Sequence, residues 1–302
     1  MARPLPALHL LAALVVVAVW GTNFVVIKWG LADFPPLTFA ALRFTFATLP
    51  AVFLLKRPEV SWRLLAIYGV LIGIGQFGLL YIAMTGWISP GLASLVIQVQ
   101  AFFTIGFAML AAGERIRGFQ VAALALAAAG LGWLVAHLNA EVTPLGLGLV
   151  LVAALSWAGG NTAQRAAGPV NALSFVVWSS LFSAPPLFLL ALTVEGWPAV
   201  SSSIAHADAA AWGAVLWQSV GNTLFGYAVW GWLLARHPAA SVAPLALLVP
   251  VFGMGASAVL LGEPLTSWKV TAAVLVLGGL ALNTLGPRFA RKFARTATTT
   301  TT

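Results

Sequence analysis

The sequence predicts an all-α integral membrane protein of ten transmembrane helices, arranged as two inverted five-helix repeats. Three observations carry this. Apolar residues fill 61% of the 302 positions and charged residues only 7%, whereas a soluble domain carries about 25% charged side chains. Apolar runs long enough to cross a bilayer recur ten times between breaks of Pro, Gly and charge. Motifs of the first half also return in the second.

A hydrocarbon core of roughly 30 Å requires about 20 helical residues, and in lipid an isolated run satisfies its own backbone only as a helix. The first run, 7–29, follows Arg3 and imitates a signal peptide. It continues past Trp20 to Ile27 without a small-residue cleavage site, beyond the roughly 7–15 apolar residues of a signal sequence, so it is expected to stay as span 1. "DFPP" (33–36) separates it from span 2 (35–55), and "KRPEVSWR" (56–63) separates span 2 from span 3 (63–85). Span 4 (90–112) ends at "ERIRG" (114–118), and spans 5, 6, 7 and 8 follow at 117–137, 143–166, 171–193 and 210–235. Span 9 (239–261) and span 10 (266–286) flank "GEPLTSWK" (262–269). A basic, then Thr-rich tail occupies 288–302, and its last stretch, 294–302, is of low complexity and is expected to be disordered.

Lys and Arg set the orientation. With the N-terminus inside, Arg3, Lys56, Arg57, Arg63, Arg115, Arg117, Arg165, Arg236, Arg288, Arg291, Lys292 and Arg295 fall on the cytoplasmic side. Lys269 and Lys28 stay opposite, with Asp33, Glu141, Glu195, Asp208 and Glu263. This bias predicts a multi-pass protein of the bacterial inner membrane with both termini cytoplasmic. The net charge of +8 is thus an orientation signal spread between spans, not a nucleic-acid patch. With no cysteine, disulfides and thiolate metal sites are excluded; neither metal nor cofactor is expected.

The repeat is visible in two places. "AVWGTNFVVIKWG" (18–30) is a loose copy of "ALSWAGGNTAQRAAG" (154–168), laying Trp20 on Trp157, Lys28 on Arg165 and, with a one-residue gap, Asn23 on Asn161. "LASLVIQVQAFFTIGFAMLAAGERI" (92–116) lies on "SVAPLALLVPVFGMGASAVLLGEPL" (241–265), superposing Gly113–Glu114 on Gly262–Glu263. Five spans per half is an odd number, so the second half (139–287) enters the membrane from the side opposite to the first (1–138). That is the architecture of secondary transporters, whose site lies near the midplane between repeats. The tryptophan-glycine start with its asparagine and lysine, and the paired Gly–Glu endings, resemble the drug/metabolite transporter superfamily, EamA type, and within it the exporters of aromatic amino acids. The resemblance covers nearly the whole chain, with Arg165 in place of a lysine and Pro264 after Glu263 as departures. It implies export of amino acids.

Polar side chains inside spans are the informative ones, because lipid-facing amides are costly. Gln76 stands in span 3, Gln98 and Gln100 in span 4, Asn161 in span 6, and Gln218 and Asn222 four residues apart in span 8. Any one amide could simply join helices; their spread over four spans favours a shared cavity. Trp20, Trp157, Trp230, Tyr81 and Tyr227 lie deep and could pack or form aromatic walls for a flat, neutral ligand. Trp29, Trp62, Trp87, Trp133, Trp197, Trp212 and Trp268 lie at span ends and fit the interfacial belt. Pro244 and Pro250 remove backbone donors from span 9, Pro244 also counting as a binding residue. Hinges are expected around Ala101 in span 4 and around Leu247 and Pro250 in span 9. Spans 5 and 10, rich in small residues, read as scaffold. Arg43, Lys28 and Arg165 can contact a substrate carboxylate or snorkel, and snorkelling suits Lys28 and Arg165.

No Asp or Glu lies near the middle of a span, which disfavours proton coupling through a buried carboxylate. The expected function is export of small neutral metabolites, foremost aromatic and other neutral amino acids, by alternating access. The partners are the substrate and the lipid bilayer, with the protein a monomer or weak homodimer. Other metabolite or drug classes, nucleotide-derived or cationic, are the alternative. A membrane enzyme would need an ionisable constellation, a channel would need filter loops or charged rings, and a scaffold would not need amides through its core.

Overall fold

A computed structural model describes the backbone of residues 5–112 and 117–299, and the side chains of 5–110, 117–238 and 241–286. Arg3, the Gly113–Glu114 motif, Arg115 and the basic side chains after Gly286 lie outside the described residues. Among those described, nine helices are long and apolar enough to cross a membrane. They are Ala7–Gly30, Pro36–Leu54, Trp62–Met84, Pro90–Leu110, Gly118–Ala136, Pro144–Ala166, Ala172–Glu195, Ala243–Leu261 and Ser267–Gly286, which are spans 1 to 7, 9 and 10. Span 8 is a continuous rod of three segments, Ala209–Leu216, Trp217–Phe225 and Gly226–Arg236. It falls short in hydropathy because Gln218, Ser219, Asn222 and Thr223 sit in its middle. All four are buried, so its polarity is spent inside the protein.

The packing has a symmetry. Span 1 packs on spans 8 and 9, span 6 on spans 3 and 4, span 2 on spans 7 and 8, and span 7 on spans 2 and 3. Spans 5 and 10 pack chiefly on each other, and span 4 meets span 9. Exchanging every span for the one five places away reproduces these pairings, as a pseudo-two-fold relation requires. Small residues allow the close crossings. A side chain on Gly279 of span 10 would come within 2.6 Å of the Ala123 carbonyl in span 5. One on Gly21 of span 1 would come within 2.5 Å of the Val249 carbonyl, and one on Gly253 of span 9 within 2.5 Å of Ser94 Oγ in span 4.

One face is sealed by carboxylates given by the second half to helices of the first. Pro36 and Pro90 occupy the first turns of spans 2 and 4, where the next backbone N–H groups have no intrahelical partner. Glu195, at the end of span 7, accepts from the Leu37 and Thr38 N–H groups at 2.6 and 3.0 Å and from Thr38 Oγ1 at 2.6 Å. Glu263, after span 9, accepts from the Gly91 N–H at 3.0 Å and Ser89 Oγ at 2.6 Å. A carboxylate there also meets the positive end of the helix dipole. Lys269 is fully buried and lies 3.0 Å from both Glu263 and Glu141, which balances a charge that would otherwise be costly to bury. Backbone bonds from Ser89 to Glu141 and from Thr143 to Trp87 tie the loop after span 3 to the loop after span 5.

Four features depart from the sequence reading. Trp197–His206 forms a short helix between spans 7 and 8, started by Gly196 at φ 84 and Pro198 in its first turn. Span 2 breaks at Leu49–Pro50. Span 7 breaks at Leu181–Ser183, where Pro185 and Pro186 offer no N–H to the carbonyls a turn earlier. Span 10 runs to Thr299, so the tail expected to be disordered is helical up to that residue. Once a packed span has nucleated the helix, each added Thr costs at most about 0.7 kcal/mol.

The glycine crossings make a prediction. Gly253→Val should lower thermal stability in detergent by about 1–3 kcal/mol through overpacking. Gly132→Ala, where a side chain meets open space, should leave the melting temperature unchanged or higher.

Candidate substrate cavity

Between the halves lies a cavity of about 520 Å³, within the roughly 300–1,000 Å³ usual for small-molecule sites. Its walls come from spans 1, 2, 3, 4, 6, 7, 8 and 9, and its lining runs from the midplane to Gln164 and Arg165 at the end of span 6 and Leu234 near the end of span 8. Arg165 is exposed, so the cavity opens on the face opposite the Glu263 seal.

The helices change type where they line it. Span 3 is π-helical over Leu71–Gly78 and span 8 over Trp217–Phe225; the first segment holds Gln76 and the second Gln218 and Asn222. Spans 4 and 9 tighten to 3-10 geometry over Ile97–Val99 and Ala243–Leu248, at matching places in the repeat. Such irregular turns mark functional sites and hinges. Ala101 follows the first tight segment by one residue after Gln100; Leu247 lies in the second and Pro250 just beyond it.

Of the residues singled out from sequence, Trp20, Gln76, Gln98, Gln100, Trp157, Asn161, Asn222, Tyr227 and Trp230 all line this one space. Asn161 donates to Gln100 Oε1 at 2.7 Å, joining span 6 to the middle of span 4. Trp20 donates from Nε1 to the Asn222 carbonyl at 3.1 Å. Its ring lies 5.1 Å from that of Trp230 and 5.9 Å from that of Tyr227, giving an aromatic wall between spans 1 and 8. Two of the set lie elsewhere. Pro244 is off the lining, at the entrance to the tight segment of span 9. Tyr81 is fully buried behind the wall, where its hydroxyl donates to Gln218 Oε1 at 2.9 Å and accepts from Arg43 Nη1 at 3.2 Å. Gln218 accordingly turns toward Tyr81 while Asn222 faces the cavity, because the widened π turn separates residues four apart.

Asn23, Tyr68 and Gln164 also line the cavity, although they were not among the eleven residues singled out for binding. Asn23 had a signal, since it is the first-half counterpart of Asn161, and Gln164 lies one turn beyond Asn161. Tyr68 had none. Arg43 and Arg165 are the cationic members of the wall, and no carboxylate is among the described lining residues. Of the end-of-span tryptophans, Trp29, Trp62, Trp87, Trp133 and Trp197 are exposed.

Alanine substitution should separate wall from scaffold. Trp157→Ala should weaken ligand binding by about 2 kcal/mol, roughly thirtyfold, and Gln98→Ala by about 1 kcal/mol. Trp133→Ala, on the exposed side of span 5, should bind as the parent does in nanodisc titrations. Equal losses at all three would indicate general damage instead.

Residues 7–136 and 144–285 each match the model of the EamA-like transporter family. A protein of Salmonella typhimurium named a probable amino-acid metabolite efflux pump is 43% identical over 286 residues, covering 92% of this chain and 95% of its own. A protein of Escherichia coli with the same name is 42% identical over 283 residues, with the same coverage. A solved structure, 19% identical, superposes with a TM-score of 0.65 over 95% of this chain and 99% of its own, which is a likeness of fold.

Proposed function

We propose that this chain, which belongs to the EamA-like transporter family and is a transporter rather than an enzyme, exports neutral amino acids, aromatic ones included. It is a multi-pass membrane protein, and on our reading both termini are cytoplasmic. The observation that carries the substrate class is the cavity wall. Amides from spans 1, 3, 4, 6 and 8 alternate with Trp20, Trp157, Trp230 and Tyr227, which suits a small solute with polar ends and an apolar or flat side chain. The names of the relatives at 42–43% identity point the same way.

Transport by alternating access follows from the two faces. With the basic loops inside, the cavity is open to the cytoplasm through the Arg165 end and shut outside by the Glu263 and Glu195 caps. Spans 4 and 9 bend at Ile97–Val99 and Ala243–Leu248, taking the solute from the inner mouth to the outer one. Bending at a tight segment is inexpensive because its hydrogen bonds already deviate from the α pattern. No carboxylate is available at the described wall to carry a proton, so the cycle runs down the substrate gradient without obligatory coupling.

The test is uptake into proteoliposomes with a labelled panel of amino acids, nucleosides and organic cations, at fixed substrate gradient. Neutral amino acids should give saturable flux, and collapsing the pH gradient with an ionophore should change the rate less than about twofold. Flux confined to another class would overturn the substrate; flux that vanishes on collapse would overturn the uncoupled cycle.

A further inference from the structure

Two cations are buried in the described part of the chain, Lys269 and Arg43, and their situations differ. Lys269 has two carboxylates at 3.0 Å. Arg43, midway along span 2 and 1% exposed, has no carboxylate within ion-pair distance among the described residues. Its guanidinium lies 3.6 Å over the Phe77 ring and donates only to two neutral hydroxyls, Tyr81 at 3.2 Å and Thr223 at 3.2 Å. Nε is buried with no partner at all. Uncompensated charge in a low-dielectric setting is unfavourable, and any anion that reaches it is bound strongly.

A second orphan complements the first. Asn23 is 4% exposed, and its Oδ1 is buried without a donor. Arg43 and Asn23 line the same cavity from spans 2 and 1. One wall therefore holds a cation with no anion beside it and an unpartnered Nε–H, and another an acceptor without a donor.

Building on the export reading above, we infer that Arg43 and Asn23 are the specificity-determining pair, reading the two ends of an α-amino acid. The substrate carboxylate pairs with the Arg43 guanidinium and the substrate ammonium donates to Asn23 Oδ1. Arg43 Nε and Asn23 Oδ1 are both buried at the edge of the lining, and side-chain rotation brings each to the ligand. The aromatic faces of Trp20 and Trp230 add attraction for the ammonium without adding a charge that would trap it. The site thus demands a free carboxylate and a free ammonium together, and leaves the side chain to the apolar remainder of the cavity. Such a demand excludes amines, amides and simple acids by desolvation, because each leaves one of the two groups unpaired.

The experiment compares three competitors of labelled uptake in proteoliposomes: the L-amino acid carried best, its primary amide and its desamino acid. For phenylalanine these are L-phenylalanine, L-phenylalaninamide and 3-phenylpropionate. The parent protein should prefer the amino acid to each analogue by about tenfold or more. Arg43→Gln should bring the acid-to-amide ratio close to one while leaving the acid-to-desamino ratio in place, and Asn23→Leu should do the reverse. Arg43→Lys, which keeps the charge and loses the fork, should retain part of the preference, and it serves where R43Q loosens the clasp between spans 2, 3 and 8. Tyr81→Phe removes a present partner of the guanidinium and should keep the ratio, which a purely structural arginine would not predict. A parent protein that does not distinguish acid from amide, or an R43Q protein that still does, would overturn the inference. A parent protein that carries no amino acid would instead overturn the export reading on which it rests.

Discussion

The arrangement of the whole molecule depends on carboxylates passed between its halves. Lipid offers no hydrogen bonds, so a helix that begins inside the membrane must find acceptors for its first N–H groups within the protein. Spans 2 and 4 find them in Glu195 and Glu263, both from the second half. Closing that face and holding the halves together are therefore one interaction. A seal of this kind is strong when dry and weak when wet, because water can take over each N–H and each carboxylate at little net loss. It suits a face that has to be shut for part of a cycle and open for the rest.

The cavity side depends on the opposite condition, polar groups left incomplete. The amides that dilute the hydropathy of span 8 and interrupt spans 3 and 4 cost stability wherever they are not mutually paired. Some are paired, as in Asn161 with Gln100; others, including Asn23 Oδ1 and Gln218 Nε2, are not. The π and 3-10 segments coincide with this zone, so irregular backbone and unpaired side chains share one place. A rigid, fully satisfied bundle would pack better and carry nothing.

Much of this was legible in the residues. The ten spans followed from bilayer thickness and charge, and nine of the eleven side chains singled out for binding line one cavity because an amide deep in a span has few other places to go. Tyr81 was not separable from Tyr227 by sequence, since both are deep tyrosines and only the packing shows that one backs onto Arg43. Pro244 was selected for its backbone effect, which says nothing about where its ring faces. Helix type escaped entirely: a π turn depends on tertiary contacts that satisfy a displaced carbonyl, and no local pattern in "LIGIGQFG" or "WQSVGNTLF" specifies it. The short helix at Trp197–His206 was hidden for a simpler reason, being too short and too polar to register as a span. The cross-half caps were invisible because Glu195 and Glu263 lie more than 150 residues from their partners.

Transport by alternating access requires the Glu263 face to open. The chain has no cysteine, so thiols at Ser89 and Glu263, whose side chains now meet at 2.6 Å, can be joined by a short reducible bifunctional reagent without background. The direct measurement is amino-acid exchange by the Ser89→Cys, Glu263→Cys protein before joining, after joining, and after reduction. Alternating access through this face predicts exchange that stops on joining and returns on reduction. Exchange that continues undiminished in the fully joined protein would contradict it.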